Sequence, residues 1–328
     1  MTDSDLPVVC TAIPLSDYAR GRLEPNCDIR DVTGCKPGEL PASIDEAEGF
    51  LCGAPYMMGN DILDAAPHLR VIANHGVGFD NVVVSELNER GIVCCNTPGV
   101  LNGAVADLTL GMMVSIARRI VDHSDFVAAG EWGKSRPAGL GFDLAGKTIG
   151  IVGFGRIGRT VAKRARGFDM DIIFHDQFTD PGEDDDCSYA ELDDLLKRSD
   201  FVSLHTNLSP ETTHLISTRE LEMMKDSAYL INTARGPVVD TDALAAGLKA
   251  GLIAGAALDV VEAEPPNGDE AILSAPNTII LPHVGSATVE TRQAMLQMAL
   301  DNLLAVLAGK EPRACVNPES LEKAYQRR

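Results

Sequence analysis

Positive charge is what this chain of 328 residues has least of: 28 lysines and arginines stand against 48 aspartates and glutamates, for a formal charge of −20. Nucleic acid and anionic membrane surfaces are bound by clustered cations, so the composition argues against both as partners. Aromatics are scarce too, at 5% with a single tryptophan, while hydrophobic residues reach 45%. That balance predicts a globular protein with aliphatic cores. The eight cysteines (Cys10, Cys27, Cys35, Cys52, Cys94, Cys95, Cys187 and Cys315) form no C-x-x-C pair and no zinc-like spacing, so no metal site is expected. The apolar run Leu108 to Ala117, bracketed by Asp107 and Arg118, falls well short of the roughly 20 residues that span a bilayer. The first residues, MTDSDLPVVC, carry acids where a secretory leader carries bases. A cytoplasmic protein with about two domains is therefore expected.

What is present is an alternation of short apolar runs and helix-like segments, the pattern of an α/β fold. In the first hundred residues, strands are predicted at Val8 to Ile13, Phe50 to Gly53, Arg70 to Asn74 and Ile92 to Cys95. Asn81 to Arg90 has helical spacing, with Gly91 placed as a helix C-terminal glycine. From Leu101 to Ala129, Val105, Leu108, Met112, Ile116 and Ile120 follow one helical rhythm, and Leu110, Met113, Val114 and Val121 make the opposite face apolar as well. One long helix is predicted, either an ordinary core helix or one buried between two domains or two subunits. A second array starts at Lys147, with strands predicted at Thr148 to Val152, Asp171 to Phe174, Phe201 to Leu204, Tyr229 to Ile231, Ile253 to Leu258 and Thr278 to Leu281. Six strands match a doubly wound sheet. A helix from Thr288 to Leu307 and a strand-like Ala314 to Pro318 complete the chain, and the acidic run Asp180 to Asp186 reads as a solvated loop.

The glycine series Gly153, Gly155 and Gly158 follows the strand TIGIV and opens the helix-like RIGRTVAKRARGF. Strand, glycines and helix together are the context a dinucleotide phosphate site requires. Asp176 lies 18 residues beyond Gly158 at the end of the next strand, near the position of the acid that accepts ribose hydroxyls. Its charge would repel a 2′-phosphate, and no arginine follows in DQFTDPGEDDD. NAD is expected as cofactor in preference to NADP, although Asp176 could instead only cap its own turn.

Three phrases downstream carry chemistry: NTARG with Arg235, EAEP with Glu264, and LPHVG with His283. Each lies just past the end of a predicted strand, where an open parallel sheet borders its ligand crevice. An arginine fork can hold a substrate carboxylate and polarise a carbonyl, a histidine can pass one proton, and a neighbouring glutamate can stabilise the imidazolium. Taken singly, these residues also fit a surface ion pair, a turn cap and a core histidine. Taken together beside a dinucleotide site, they predict a 2-oxoacid reductase.

These phrases, with HGVGFDN at His75 to Asn81, NTPGVL at Asn96 to Leu101, SLHTNLSPET at Ser203 to Thr212, ALDVVEAEP at Ala257 to Pro265 and LPHVGSAT at Leu281 to Thr288, resemble the NAD(P)-dependent D-2-hydroxyacid dehydrogenase family over nearly the full chain. The resemblance implies Arg235, Glu264 and His283 as the catalytic triad, and backbone at Val77 and Gly78 as the binder of the substrate carboxylate. It also implies that Asn74 stands just before the substrate loop, that Asp259 holds the nicotinamide amide, and that Arg156, Ile157, Thr206, Thr233, Ala234 and Gly285 line the cofactor. It further implies a Rossmann cofactor domain over 102–288 and a smaller flavodoxin-like substrate domain over 1–101, to which 289–328 returns. The helix near Leu101 to Ala129 would build a homodimer.

Departures from the family pattern bear on the substrate. Members acting on phosphoglycerate or D-lactate usually carry arginine where Asn74 stands, phosphite oxidisers carry lysine at Val77, and formate members carry glutamine at Glu264. The wording NHGVGFDN is nearest the glyoxylate, hydroxypyruvate and 2-ketoaldonate reductases, but Trp132 is followed by Ser135 where the glyoxylate type often has a second tryptophan. Glyoxylate or hydroxypyruvate is the first expectation, and 2-ketogluconate the next. A non-enzymatic alternative also stays open, because NAD-sensing corepressors resemble this family and keep its triad.

Overall fold

A computed structural model describes residues 6–35, 39–40, 43–53, 56–137, 139–179 and 186–326. The chain divides into two compact units, Met1–Leu101 with Thr288–Arg328, and Asn102–Ala287. Most of the acidic run, residues 180–185, lies outside the described residues, as do residues 1–5 at the N-terminus.

The first unit holds a parallel five-stranded sheet of β1 (Val8–Thr11), β2 (Asp28–Asp31), β3 (Gly49–Cys52), β4 (Val71–Asn74) and β5 (Val93–Cys95), in the order β2-β1-β3-β4-β5. This is the flavodoxin-like 2-1-3-4-5 order. Side-chain alternation divides its core in two. Val9, Leu51, Val71, Val93 and Cys95 pack with Leu300 and Leu303 of the helix Val289–Leu307, while Cys10, Phe50, Ile72 and Cys94 pack with Ile62, Leu63 and Leu87 from the helices Asn60–Ala65 and Val84–Arg90. Strand β2, DIRD, has no apolar alternation because it is an edge strand, and it escaped the sequence reading.

The tail corrects another expectation, since Ala314 to Pro318 forms no strand. Only Val316 makes a main-chain bond to β5, donating to the Cys94 carbonyl at 2.8 Å, while Asn317 uses its side chain in place of the ladder, accepting from Cys94 N at 2.7 Å and donating to the Ile92 carbonyl at 2.9 Å. Pro318 then opens a 3₁₀ turn that continues into the helix Leu321–Gln326. Arg70, 3% exposed, pins this arrangement by donating to Glu48 Oε2 at 3.1 Å, Ala324 O at 3.1 Å and Leu307 O at 3.4 Å.

The second unit carries seven parallel strands: β6 (Thr148–Val152), β7 (Asp171–His175), β8 (Ser188–Tyr189), β9 (Phe201–Leu204), β10 (Tyr229–Asn232), β11 (Gly255–Leu258) and β12 (Thr278–Ile280). Their order, β12-β11-β10-β9-β6-β7-β8, is the doubly wound Rossmann order with one strand added at an edge. The two-residue β8 was too short to be read from sequence. The long helix predicted over Leu101 to Ala129 is two helices, Asn102–Ala117 and Ile120–Ala128, because Arg119 takes a left-handed backbone at φ 52°. The first buries Val105, Ala106, Leu110, Met112, Met113 and Ile116, so its burial is wide; the second buries none of its residues.

Candidate active site

The dinucleotide fingerprint is built at the end of β6. Gly153 turns with φ +92°, and a Cβ there would lie 2.7 Å from the His205 carbonyl group, so only glycine lets the two strand ends meet. Gly158 stands on the helix Arg156–Ala165, which Arg156 and Ile157 open, and Gly155 precedes it with no atom within 4 Å of where its Cβ would be. A helix N-terminus beneath open space offers N–H groups to an anion. The cleft here has a volume of about 750 Å³ and is lined by Gly153, Gly155, Asp176, Phe178, Thr206 and Thr212 among others.

Asp176 faces this cleft and also organises it. Its Oδ2 accepts Phe154 N–H at 2.6 Å, and its Oδ1 accepts Phe178 N–H at 2.7 Å and Thr179 N–H at 2.9 Å. Burial alone would raise its pKa, but the bonds from Phe178, Phe154 and Thr179 together outweigh burial and hold the carboxyl below its ordinary range. The turn-capping role is thus present, and a ribose-binding role would fall to Oδ2, which accepts one backbone N–H where Oδ1 accepts two. Across the cleft, His205 Nε2 meets Ser203 Oγ at 2.8 Å, and burial pushes the imidazole down to about 3, so the ring is neutral. His205 Nδ1 and Thr206 Oγ1 are buried without a hydrogen-bond partner among the described residues. Buried polar atoms left without partners beside an open glycine turn fit a bound dinucleotide.

Neighbouring strands β10, β11 and β12 end in the three phrases of the proposed triad. After β10 the Asn232 side chain folds the loop on itself, donating to Arg235 O at 2.9 Å and accepting Ala234 N–H at 3.0 Å. Thr233 Oγ1 meets Thr109 Oγ1 at 3.1 Å, and Arg235 donates from Nη1 to Ala234 O at 2.7 Å. Gly236 brings this loop against the segment after β11, where a Cβ would lie 1.8 Å from Val261 O. Buried Asp259, directly after β11, holds the loop that follows β12: it accepts Val284 N–H at 2.7 Å and Gly285 N–H at 2.8 Å, while its carbonyl accepts His283 N–H at 2.9 Å. His283, held at φ 51°, places Nδ1 2.7 Å from Glu264 Oε2. That contact fixes the ring and leaves Nε2 for chemistry.

In the first unit, Asn74 ends β4 and donates from Nδ2 to Gly78 O at 2.6 Å. Asn96 Nδ2 donates to Val77 O at 2.8 Å, and Thr97 N–H to Gly76 O at 2.9 Å. Three successive carbonyls are thus taken, whereas the Val77 and Gly78 N–H groups donate to nothing among the described residues. Such a run of free backbone donors suits a carboxylate. Two features escaped the sequence reading: His205 in the cleft at the glycine turn, signalled only by its place one residue past β9, and a second histidine–carboxylate pair, His214 with Glu262 at 2.9 Å, for which spacing offered no signal. Among the described residues no cluster of potential ligands could hold a metal, and no helix is long and apolar enough to cross a membrane.

Comparison with known proteins gives a family, a relative and two solved structures. Residues 110–285 match the family described as D-isomer specific 2-hydroxyacid dehydrogenase, NAD binding domain. A glyoxylate reductase of Thermococcus litoralis is 44% identical over 291 residues, covering 87% of this chain and 88% of that one. Among solved structures, the TT0316 protein of Thermus thermophilus is 40% identical with a TM-score of 0.87, over 94% of this chain and 99% of that one. An NADPH-dependent glyoxylate/hydroxypyruvate reductase of Sinorhizobium meliloti, solved with NADP and malonate, is 32% identical with a TM-score of 0.86, over 96% of this chain and 97% of that one.

Proposed function

Because the chain belongs to the D-isomer specific 2-hydroxyacid dehydrogenase family, and is thereby an oxidoreductase that uses a nicotinamide cofactor, we propose that it reduces glyoxylate or hydroxypyruvate to the D-2-hydroxy acid with NADH. The observation that carries this reading is the 2.7 Å contact between His283 Nδ1 and Glu264 Oε2, in a chain whose relatives include glyoxylate reductases. When bound, the reduced nicotinamide supplies the hydride that the carbonyl carbon accepts. Protonated His283 donates its Nε2 proton to the carbonyl oxygen, and Glu264 holds the ring in the tautomer that returns Nε2 to service. Arg235 binds the substrate carboxylate and draws charge from the carbonyl. In the first unit the Val77 and Gly78 N–H groups bind the carboxylate, with Asn74 fixing their loop. The oxidative direction uses neutral His283 as base.

The same reading assigns the cofactor to Gly153, Gly155, Arg156, Ile157, Gly158, Asp176, Thr206, Thr233, Ala234, Asp259 and Gly285, which makes 102–288 the cofactor domain and 1–101 with 289–328 the substrate domain. Asp176 supports NAD over NADP, because its carboxylate is held ionised where a 2′-phosphate would come. A homodimer is supported by the exposed apolar residues Ile120, Val121, Val127, Trp132 and Leu140 of one stretch. The free state of all eight cysteines fits a cytoplasmic protein. A 2-ketoaldonate is the second reading, favoured by Ser135 in place of a bulky ring.

The test is NADH oxidation at 340 nm with glyoxylate, hydroxypyruvate, 2-ketogluconate, pyruvate and phenylpyruvate, with NADPH in parallel. Preference for glyoxylate or hydroxypyruvate with NADH is expected. No turnover on any of the five, by protein that binds NADH, would overturn the reading.

A further inference from the structure

We propose that His214 is a positioning residue of this site: held on Glu262, it ties the wall of the dinucleotide cleft to the segments that carry Arg235 and Glu264. The inference rests on the catalytic assignment of Glu264 made above.

His214 Nε2 lies 2.9 Å from Glu262 Oε1, and Glu262 Oε2 accepts Thr241 N–H at 3.4 Å. The two side chains are 42% and 41% exposed. A pair so open to water adds little to stability and is weakened by salt. What it connects is more telling, because three functional stretches converge on it. Upstream of His214, Ser209, Glu211 and Thr212 line the dinucleotide cleft. His214 N–H donates to Pro237 O at 2.8 Å and Ile216 N–H to Val238 O at 3.1 Å, so the same stretch pairs with the chain directly after Arg235. Glu262 stands two residues before Glu264 and follows Val261, the residue whose carbonyl abuts Gly236.

The backbone carries a second sign. His214 is left-handed at φ 51°, as is His283, a state uncommon for residues other than glycine and retained where the surroundings impose it. The hydrogen bond to Glu262, and beyond it the charge of Asp240, hold the His214 imidazole above its ordinary pKa, so the pair keeps its charge over a wider pH range. Asp240 is itself fixed, accepting from Ser217 Oγ at 2.9 Å and Ala243 N–H at 3.0 Å. The result is a clasp from the cofactor wall to the turn that presents Glu264 to His283. Neither His214 nor Glu262 lines the dinucleotide cleft, so the contribution of the clasp to rate runs through the turn that presents Glu264.

The experiment is a double-mutant cycle on the full chain, with kcat and KM for glyoxylate, the Kd for NADH and the melting temperature measured for each variant. His214→Ala is expected to lower kcat about tenfold, within the cost of a sub-ångström misplacement, with the glyoxylate KM little changed. His214→Gln, whose amide can still donate to Glu262, should restore most of the loss. In a Glu264→Gln background, His214→Ala should cost much less than it does in the wild type, because there is no carboxylate left to position. If His214→Ala does not fold, Glu262→Gln completes the same cycle. Independent, multiplying effects of the two substitutions would overturn the clasp alone, as would wild-type kcat in His214→Ala. Wild-type kcat in Glu264→Gln would overturn the assignment of Glu264, and this inference with it.

Discussion

Gly236→Ala isolates the geometry of the site from its chemistry, since it adds one methyl group and removes no functional atom. The alanine Cβ would lie 1.8 Å from Val261 O and 2.1 Å from Val261 C. Heavy atoms pack at roughly 3.5 Å, and both partners here are backbone, so no side chain can swing aside. The Arg235 loop and the segment leading to Glu264 must therefore part by more than about 1 Å, a displacement that costs about 10²-fold in rate when it reaches a reacting group. That corresponds to about 2.7 kcal/mol in the barrier, beside an overpacking cost of about 1–3 kcal/mol in stability. The assay is kcat for glyoxylate at saturating NADH, with thermal melting and NADH binding on the same preparation. Gly167→Ala, whose Cβ would meet nothing within 4 Å, is the control and should leave kcat unchanged. A folded Gly236→Ala enzyme with wild-type kcat would refute the reasoning, because the two loops would then be free to part without consequence.

Four further outcomes are expected. His283→Asn should lower kcat by about 10²–10⁴-fold, the usual worth of a positioned proton donor, while NADH binding by fluorescence quenching persists. Asp176→Ser should shift the ratio of kcat/KM for NADH over NADPH toward NADPH by about tenfold or more, and should weaken NADH itself because Phe154 N–H loses its acceptor. Asp200 accepts from Lys225 Nζ at 2.9 Å and Thr148 N–H at 2.9 Å; burial opposes its charge, but these partners prevail and lower its pKa. A carboxyl whose folded pKa is lowered stabilises fully above its unfolded value and loses that contribution as pH falls through the folded one. Asp200→Asn should therefore reduce the urea midpoint at neutral pH and flatten its fall in acid. Arg70→Met should cost about 2–4 kcal/mol in urea unfolding, because it leaves Glu48 and two buried carbonyls without their donor.

The fold class was legible wherever a strand was apolar and central. TIGIV, FVSL and YLIN lie in the middle of their sheet, almost wholly buried, and read as short, mostly apolar runs. The strands that escaped, DIRD and the two-residue Ser188–Tyr189, are edges, which bury too little to leave a pattern. The break at Arg119 was hidden for a different reason. Hydrophobic rhythm runs through it from Val105 to Ile120, and a left-handed arginine has no signature in composition. The tail was misread as a strand because an asparagine side chain, rather than a main-chain ladder, satisfies the edge of β5.

At the site, sequence position identified which side chains stand at the ends of β10, β11 and β12, since a parallel sheet puts every such residue on one edge. It could not identify what holds them there. Asp259 bonds the backbone of the His283 loop, Asn232 folds the Arg235 loop, and Asp176 ties the glycine turn to the next strand. Each is a short polar side chain acting on backbone, a contact whose partners sit 25, 3 and 22 residues away. No periodicity links such distances. The same holds for His214, 48 residues before Glu262. Residues that perform chemistry are recognisable by type at a strand end, whereas residues that position them are recognisable only once the loops are folded. The double-mutant cycle on His214 and Glu264 asks how much of the rate depends on that second, sequence-silent set.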